Sequence, residues 1–165
     1  MIYEEYIKSN KIEFINKVNT ICAKLKIQAD WLMVVMYAES RLKPDAYNPN
    51  GGATGLIQFM PRTALGLGTN TTSLRKMSNV EQLDWVYKYF APYSGRIKNV
   101  HDLYLVTFFP AALGKADNWI IQAGSLTPAI IAKANPAIDI NKDLVITVGE
   151  FKAYVNQYLK KKTLI

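Results

Sequence analysis

The residues best suited to chemistry in this chain are Glu39, followed at once by Ser40, and the segment Gly55-Leu56-Ile57-Gln58-Phe59-Met60-Pro61. Leu32, Val35, Met36 and Glu39 stand at i, i+3, i+4 and i+7, so a helix here carries the carboxylate on its apolar stripe. A carboxyl in that position loses hydration, and burial favours its neutral form. A carboxylic acid still protonated near neutral pH can act as a general acid on a glycosidic oxygen. In the second segment glycine lets the backbone approach a ligand closely, and the Gln58 amide offers donors and an acceptor.

These groups need elements to hold them. Asp30 reads as the N-cap of a helix over Trp31–Arg41, stopped before Pro44. Asn48–Gly52 is a turn cluster, and Pro61 suits a first helical position. Upstream, Ile2–Ile7 suits a short helix. Asn10 and Glu13 have capping-box spacing ahead of a helix whose Phe14, Ile15, Val18, Ile21, Cys22 and Leu25 repeat with helical period. Downstream, a short helix is expected after Pro61, broken by Gly66 and Gly68, then a polar loop from Asn70 to Ser78. Asn79, with Gln82 at capping-box spacing, opens a helix using Val80, Leu83, Val86, Tyr87 and Phe90, which ends at Pro92. Another helix starts at Asn99, is apolar over Leu103–Phe109 and meets Pro110; one more runs from Thr127-Pro128 to about Asn135. Without tandem repeats or alternating strand pairs, the expectation is one all-α domain over residues 1–165.

Glu39-Ser40 followed by GLIQFMP resembles the catalytic domain of lytic transglycosylases and goose-type lysozymes, in which Glu-Ser precedes Gly-Leu-Met-Gln. The resemblance covers about Ile27 to Ala112. It implies a lysozyme-like fold and cleavage of the bond between N-acetylmuramic acid and N-acetylglucosamine in peptidoglycan glycan strands. It further implies Glu39 as acid and then base, Ser40 as a positioning group, Gly55, Gln58 and Phe59 along the cleft, and no redox or organic cofactor. A third family motif, Ala-Tyr-Asn-Ala-Gly, is matched best by Phe108-Phe109-Pro110-Ala111-Ala112, which lacks the tyrosine. Tyr104 on the same segment is the candidate for a substitute hydroxyl, with a core tyrosine as the favoured reading.

A hydrolase usually needs a second carboxylate at a defined separation. Between Glu39 and Pro61 the chain has only Asp45, and no aspartate stands just before GLIQ, where goose-type lysozymes carry theirs. The expectation is therefore a transglycosylase; a hydrolytic lysozyme using Asp84 or Asp102 is the first alternative. A non-catalytic wall-binding or virion structural domain is the second.

Asp139, Asn141, Asp143, Thr147 and Glu150 fall at positions one, three, five, nine and twelve of an EF-hand calcium loop. Leu144 occupies the sixth position, normally glycine. The same residues also read as a capped turn, Thr147 and Glu150 forming a capping box. The expectation is thus a C-terminal EF-hand-like loop with calcium as an optional structural ion.

The remaining composition narrows the field. A net charge of +7 suits any polyanion, but part of it is the Lys160-Lys161-Lys162 run, read as a solvated tail, and no basic stripe interleaved with aromatics argues for nucleic acid. Cys22 alone cannot make an internal disulfide and reads as core. His101 is the only histidine, which excludes a paired-histidine zinc motif. The N-terminus has no signal-like apolar segment and nothing is long enough to span a bilayer. These features fit a monomeric phage lysis enzyme or virion-borne protein, held in the host cytoplasm or the virion before it acts on the wall.

Overall fold

Phe14, Val18, Ile21, Cys22 and Leu25 are buried along one face of α1 (Lys11–Leu25), as their spacing requires. This face packs against α2 (Ala29–Ser40) and α5 (Asn79–Phe90). In α2 the five residues Leu32–Met36 are all inaccessible, so the helix is buried on every side before its last turn emerges. Full burial of one such side chain is worth about 1.5–3 kcal/mol. The burial of Cys22 pushes its thiol up to about 12. The computed structural model describes residues 1–159, and the lysine run at 160–162 lies outside them. The chain forms two units, Met1–Val100 and His101–Ile165.

In the first unit, α3 (Pro61–Leu67) keeps Gly66 inside it and stops at Gly68, whose φ of 94° ends the helix in the left-handed region. The expected polar loop after Asn70 is instead a helix, α4 (Thr71–Lys76). The Asn70 side chain caps it by accepting the Ser73 N–H at 2.8 Å.

The capping boxes also shift. The one on α5 is Ser78 with Glu81. Asn79 is buried and donates to the Ser9 carbonyl at 2.8 Å, and Gln82 is wholly buried. Asn10 does not cap α1, because its side-chain amide donates to Asn79 Oδ1 at 3.2 Å. Asp30 does not cap α2 either. The helix begins two residues earlier than expected, at Ala29, and Asp30 Oδ1 accepts the Ile2 N–H at 2.9 Å. In all three cases a tertiary partner competes for a polar side chain that local spacing assigns to a cap.

In the second unit, α6 (Val100–Phe108), α7 (Pro128–Ala134) and α8 (Val148–Asn156) follow the expected starts, with Thr127 and Thr147 as N-caps. Phe151 gathers Tyr104 edge-to-face at 5.3 Å and Phe108 stacked at 4.9 Å. The described residues form only isolated antiparallel bridges outside the helices, so the all-α expectation holds.

Candidate active site

Glu39 lies in the last turn of α2, half-buried, where the helix leaves the core. Behind it the chain reverses through Arg41 and Leu42, both left-handed at φ 56° and 61°. Neither is glycine, and paired left-handed residues beside a cleft are strain of the kind that collects at functional sites. Arg41 offsets part of it: its guanidinium donates to the Tyr37 carbonyl at 2.8 Å and lies 4.5 Å from the centre of the Tyr37 ring.

The GLIQ segment is a tight turn. The Gln58 N–H donates to the Gly55 carbonyl at 3.1 Å, and Thr54 and Phe59 exchange two backbone hydrogen bonds at 3.0 and 2.8 Å. Gly55 has φ +81°, and a Cβ built on it would stand 2.5 Å from Gln82 Oε1. Glycine is therefore demanded twice, by conformation and by space. The Gln82 amide fixes three backbone segments. Its Oε1 accepts the Leu56 N–H at 2.9 Å, while Nε2 donates to the Leu74 carbonyl at 2.8 Å and to that of Pro44.

Ser40 joins the two motifs. It is 6 % exposed, and its hydroxyl stands 2.9 Å from both the Met36 and Leu56 carbonyl oxygens. Gln58, at φ 55°, donates through Nε2 to the carbonyls of Gly55 at 3.1 Å and Ala46 at 3.4 Å.

Glu39, Ser40, Arg41, Lys43, Tyr47 and Gln58 line an open cleft of about 460 Å³, together with Ala38 and Ala46. Glu39 is the one carboxylate among the described residues lining it. Asp45 belongs to a separate depression with Thr72, Arg75 and Lys76. Tyr47 is half exposed, and the Arg75 guanidinium lies 4.4 Å from its ring centre.

Phe59 and Tyr104, also expected at the site, are both buried. Phe59 is 2 % exposed, its ring edge-on to Tyr89 at 6.3 Å, so it supports the turn from beneath. Tyr104 is 3 % exposed against Phe151, a core tyrosine. The Phe108-to-Ala112 segment ends α6 and forms a single 3₁₀ turn.

Two residues have a place here that the sequence reading does not give them: Gln82 reads there only as a capping-box partner, and Tyr89 is not singled out. The Tyr89 phenol is pushed upward, first by burial and then by Tyr93 and the Glu39 carboxylate, so Tyr89 shares the electrostatic surroundings of Glu39. Gln82 and Tyr89 are seven residues apart on α5, hence on one face, and that spacing was the available signal.

A family model described as "Transglycosylase SLT domain" matches residues 17–107. The match takes in both Glu39-Ser40 and the GLIQ turn, and it stops just before Phe108, where the tyrosine motif was sought. No curated protein and no solved structure matches the chain. Because the matched region spans more than half of the sequence, the chain belongs to the transglycosylase SLT domain family, the peptidoglycan lytic transglycosylases.

Proposed function

We propose that Glu39 alone carries the acid–base work of glycan cleavage, without a partner carboxylate. The observation that supports this is the single-carboxylate lining of the Glu39 cleft among the described residues. A hydrolase that activates water needs a second carboxyl group across the scissile bond. An intramolecular attack needs only one group that first gives and then takes a proton.

The steps balance with the residues at hand. The Glu39 carboxylic acid protonates the glycosidic oxygen, the bond from the muramic C1 to that oxygen breaks, and the leaving sugar departs as an alcohol. The Glu39 carboxylate then takes the proton of the muramic C6 hydroxyl, whose oxygen bonds to C1 and closes a 1,6-anhydro ring. Glu39 ends protonated, and no water is consumed.

Other groups serve binding. Gln58 engages its own turn through Nε2, which leaves the Oε1 side of the amide to accept from a sugar hydroxyl or amide. Tyr47, held against Arg75, offers an exposed ring face to a pyranose. Arg41 and Lys43 give the cleft a positive excess that suits a wall polymer bearing carboxylates. Tyr89 remains a neutral phenol through the working pH range and helps define the field at Glu39.

Glu39→Gln tests the assignment. Binding to purified sacculi is retained and the release of soluble fragments falls by about 10²–10⁴-fold, the usual contribution of a general acid. Release at the wild-type rate would refute it.

A further inference from the structure

The stretch from Asp139 to Glu150 has no part in the glycan chemistry, yet its geometry is highly specified. Asp139 is 5 % exposed, and its Oδ2 reaches across the loop to accept the Leu144 N–H at 3.1 Å. Leu144 has φ +65°, the left-handed conformation that the sixth position of a calcium loop requires and glycine normally supplies. The sharp turn is therefore made without glycine. Asn141 Oδ1 accepts the Asp143 N–H at 3.0 Å, and Asp143 Oδ1 accepts that of Val145 at 2.9 Å. At the eighth position Ile146 is fully buried, and its carbonyl accepts the Ile121 N–H at 2.8 Å, pinning the loop's exit.

These bonds leave two oxygens over. Asp139 Oδ1 and Glu150 Oε1 are buried and accept no hydrogen bond from any described residue. Oδ1 shares its carbon with Oδ2, which is bonded across the loop, so the unsatisfied oxygen belongs to a carboxylate held inside it. Buried carboxylate oxygens are ordinarily hydrogen-bonded, ion-paired or coordinated to a cation. Among the described residues no three His, Cys, Asp or Glu side chains converge into a ready-made cage. A loop of this type does not need one in advance, because it also draws on a side-chain amide and a backbone carbonyl.

We propose that residues 139–150 form a calcium site, with Asp139, Asn141, Asp143, the Val145 carbonyl, Thr147 and Glu150 as its ligands. Glu150 Oε2 accepts from the Thr147 N–H at 2.9 Å and the Thr147 hydroxyl at 3.0 Å, and calcium binding exchanges these bonds for the ion. The reciprocal bond, from the Glu150 N–H to Thr147 Oγ1 at 3.2 Å, keeps α8 capped during that exchange. The ligands are hard oxygens, six in number and ending in a glutamate that can bind through both oxygens, which favours calcium over the smaller, more rigidly octahedral magnesium.

The experiment uses the full chain stripped of metal by chelation, titrated with calcium chloride in a calorimeter and melted with calcium or with chelator. One calcium binds per chain with a Kd in the range of about 10⁻⁶–10⁻³ M, and the Tm rises when the ion is present. Glu150→Gln and Asp143→Asn each weaken binding by about tenfold or more through loss of a ligand charge. Asp143 is exposed, and an asparagine there can still accept the Val145 N–H, so that variant keeps its fold. Absence of binding heat at millimolar calcium together with equal Tm in calcium and chelator overturns the proposal. So does a calcium response that survives both substitutions. The readout is binding, so it stands apart from whether Glu39 cleaves glycan.

Discussion

The Ser40 hydroxyl lies 2.9 Å from the Leu56 carbonyl oxygen, which makes the residue after Glu39 a clasp between the end of α2 and the GLIQ turn. Replacing it with alanine leaves a buried carbonyl without its partner, at a cost of about 1–3 kcal/mol. Ser40→Ala is therefore expected to lower stability in urea unfolding and to lower kcat more than it raises KM, since the slack falls between Glu39 and Gln58. Wild-type stability in this variant would show that the clasp carries no weight.

Gly55→Ala is expected to be worse. The added Cβ meets Gln82 Oε1 at 2.5 Å, and the backbone is held at φ +81°. Moving Gln82 breaks its bonds to Leu56, Leu74 and Pro44 together, so a loss of about 3 kcal/mol or more is expected. Gln82→Leu should cost a similar amount, and the double variant should cost less than the sum, since both act on one network. Additive losses in a double-mutant cycle would contradict the shared network.

The helices other than α4 and the two motifs were legible in the sequence because apolar spacing and Gly-Leu-Ile-Gln are local signals. The caps were not. Asn10, Asp30 and Asn79 each have cap-like spacing, but each bonds a distant partner: Asn79, Ile2 and Ser9 respectively. Gln82 reads as the capping-box partner of Asn79, and only the arrival of three other backbone segments makes it the centre of the turn. Phe59 sits next to a cleft residue in sequence and points into the core, since the tight turn sends successive side chains to opposite sides. Tyr104 is buried against Phe151, as the apolar run of its helix requires.

Tyr89→Phe keeps the ring that packs edge-on against Phe59 and Phe90 and removes only the hydroxyl. Stability should change by less than about 1.5 kcal/mol, the worth of an ordinary hydrogen bond, while turnover on sacculi should fall by about tenfold if the phenol shapes the field at Glu39. Unchanged turnover would remove Tyr89 from the site.

Cys22 gives a pH prediction. Burial raises its folded-state value from 9.0 to about 12, so the unfolded chain loses this proton first as pH rises. The stabilising contribution is complete below 9.0 and is lost as pH climbs toward about 12. Wild type should thus lose stability more steeply over that window than Cys22→Ala, in thermal melts at stepped pH. Parallel pH profiles would contradict the burial argument.

The central claim is that one carboxylate performs the whole cleavage with the sugar's own hydroxyl as nucleophile, and the products carry the record of it. Mass analysis of fragments released from purified sacculi should find muramic ends closed as 1,6-anhydro rings, lighter by one water than reducing ends, and should find almost none with Glu39→Gln. Reducing ends from the wild-type protein, or anhydro products undiminished in the variant, would contradict the account.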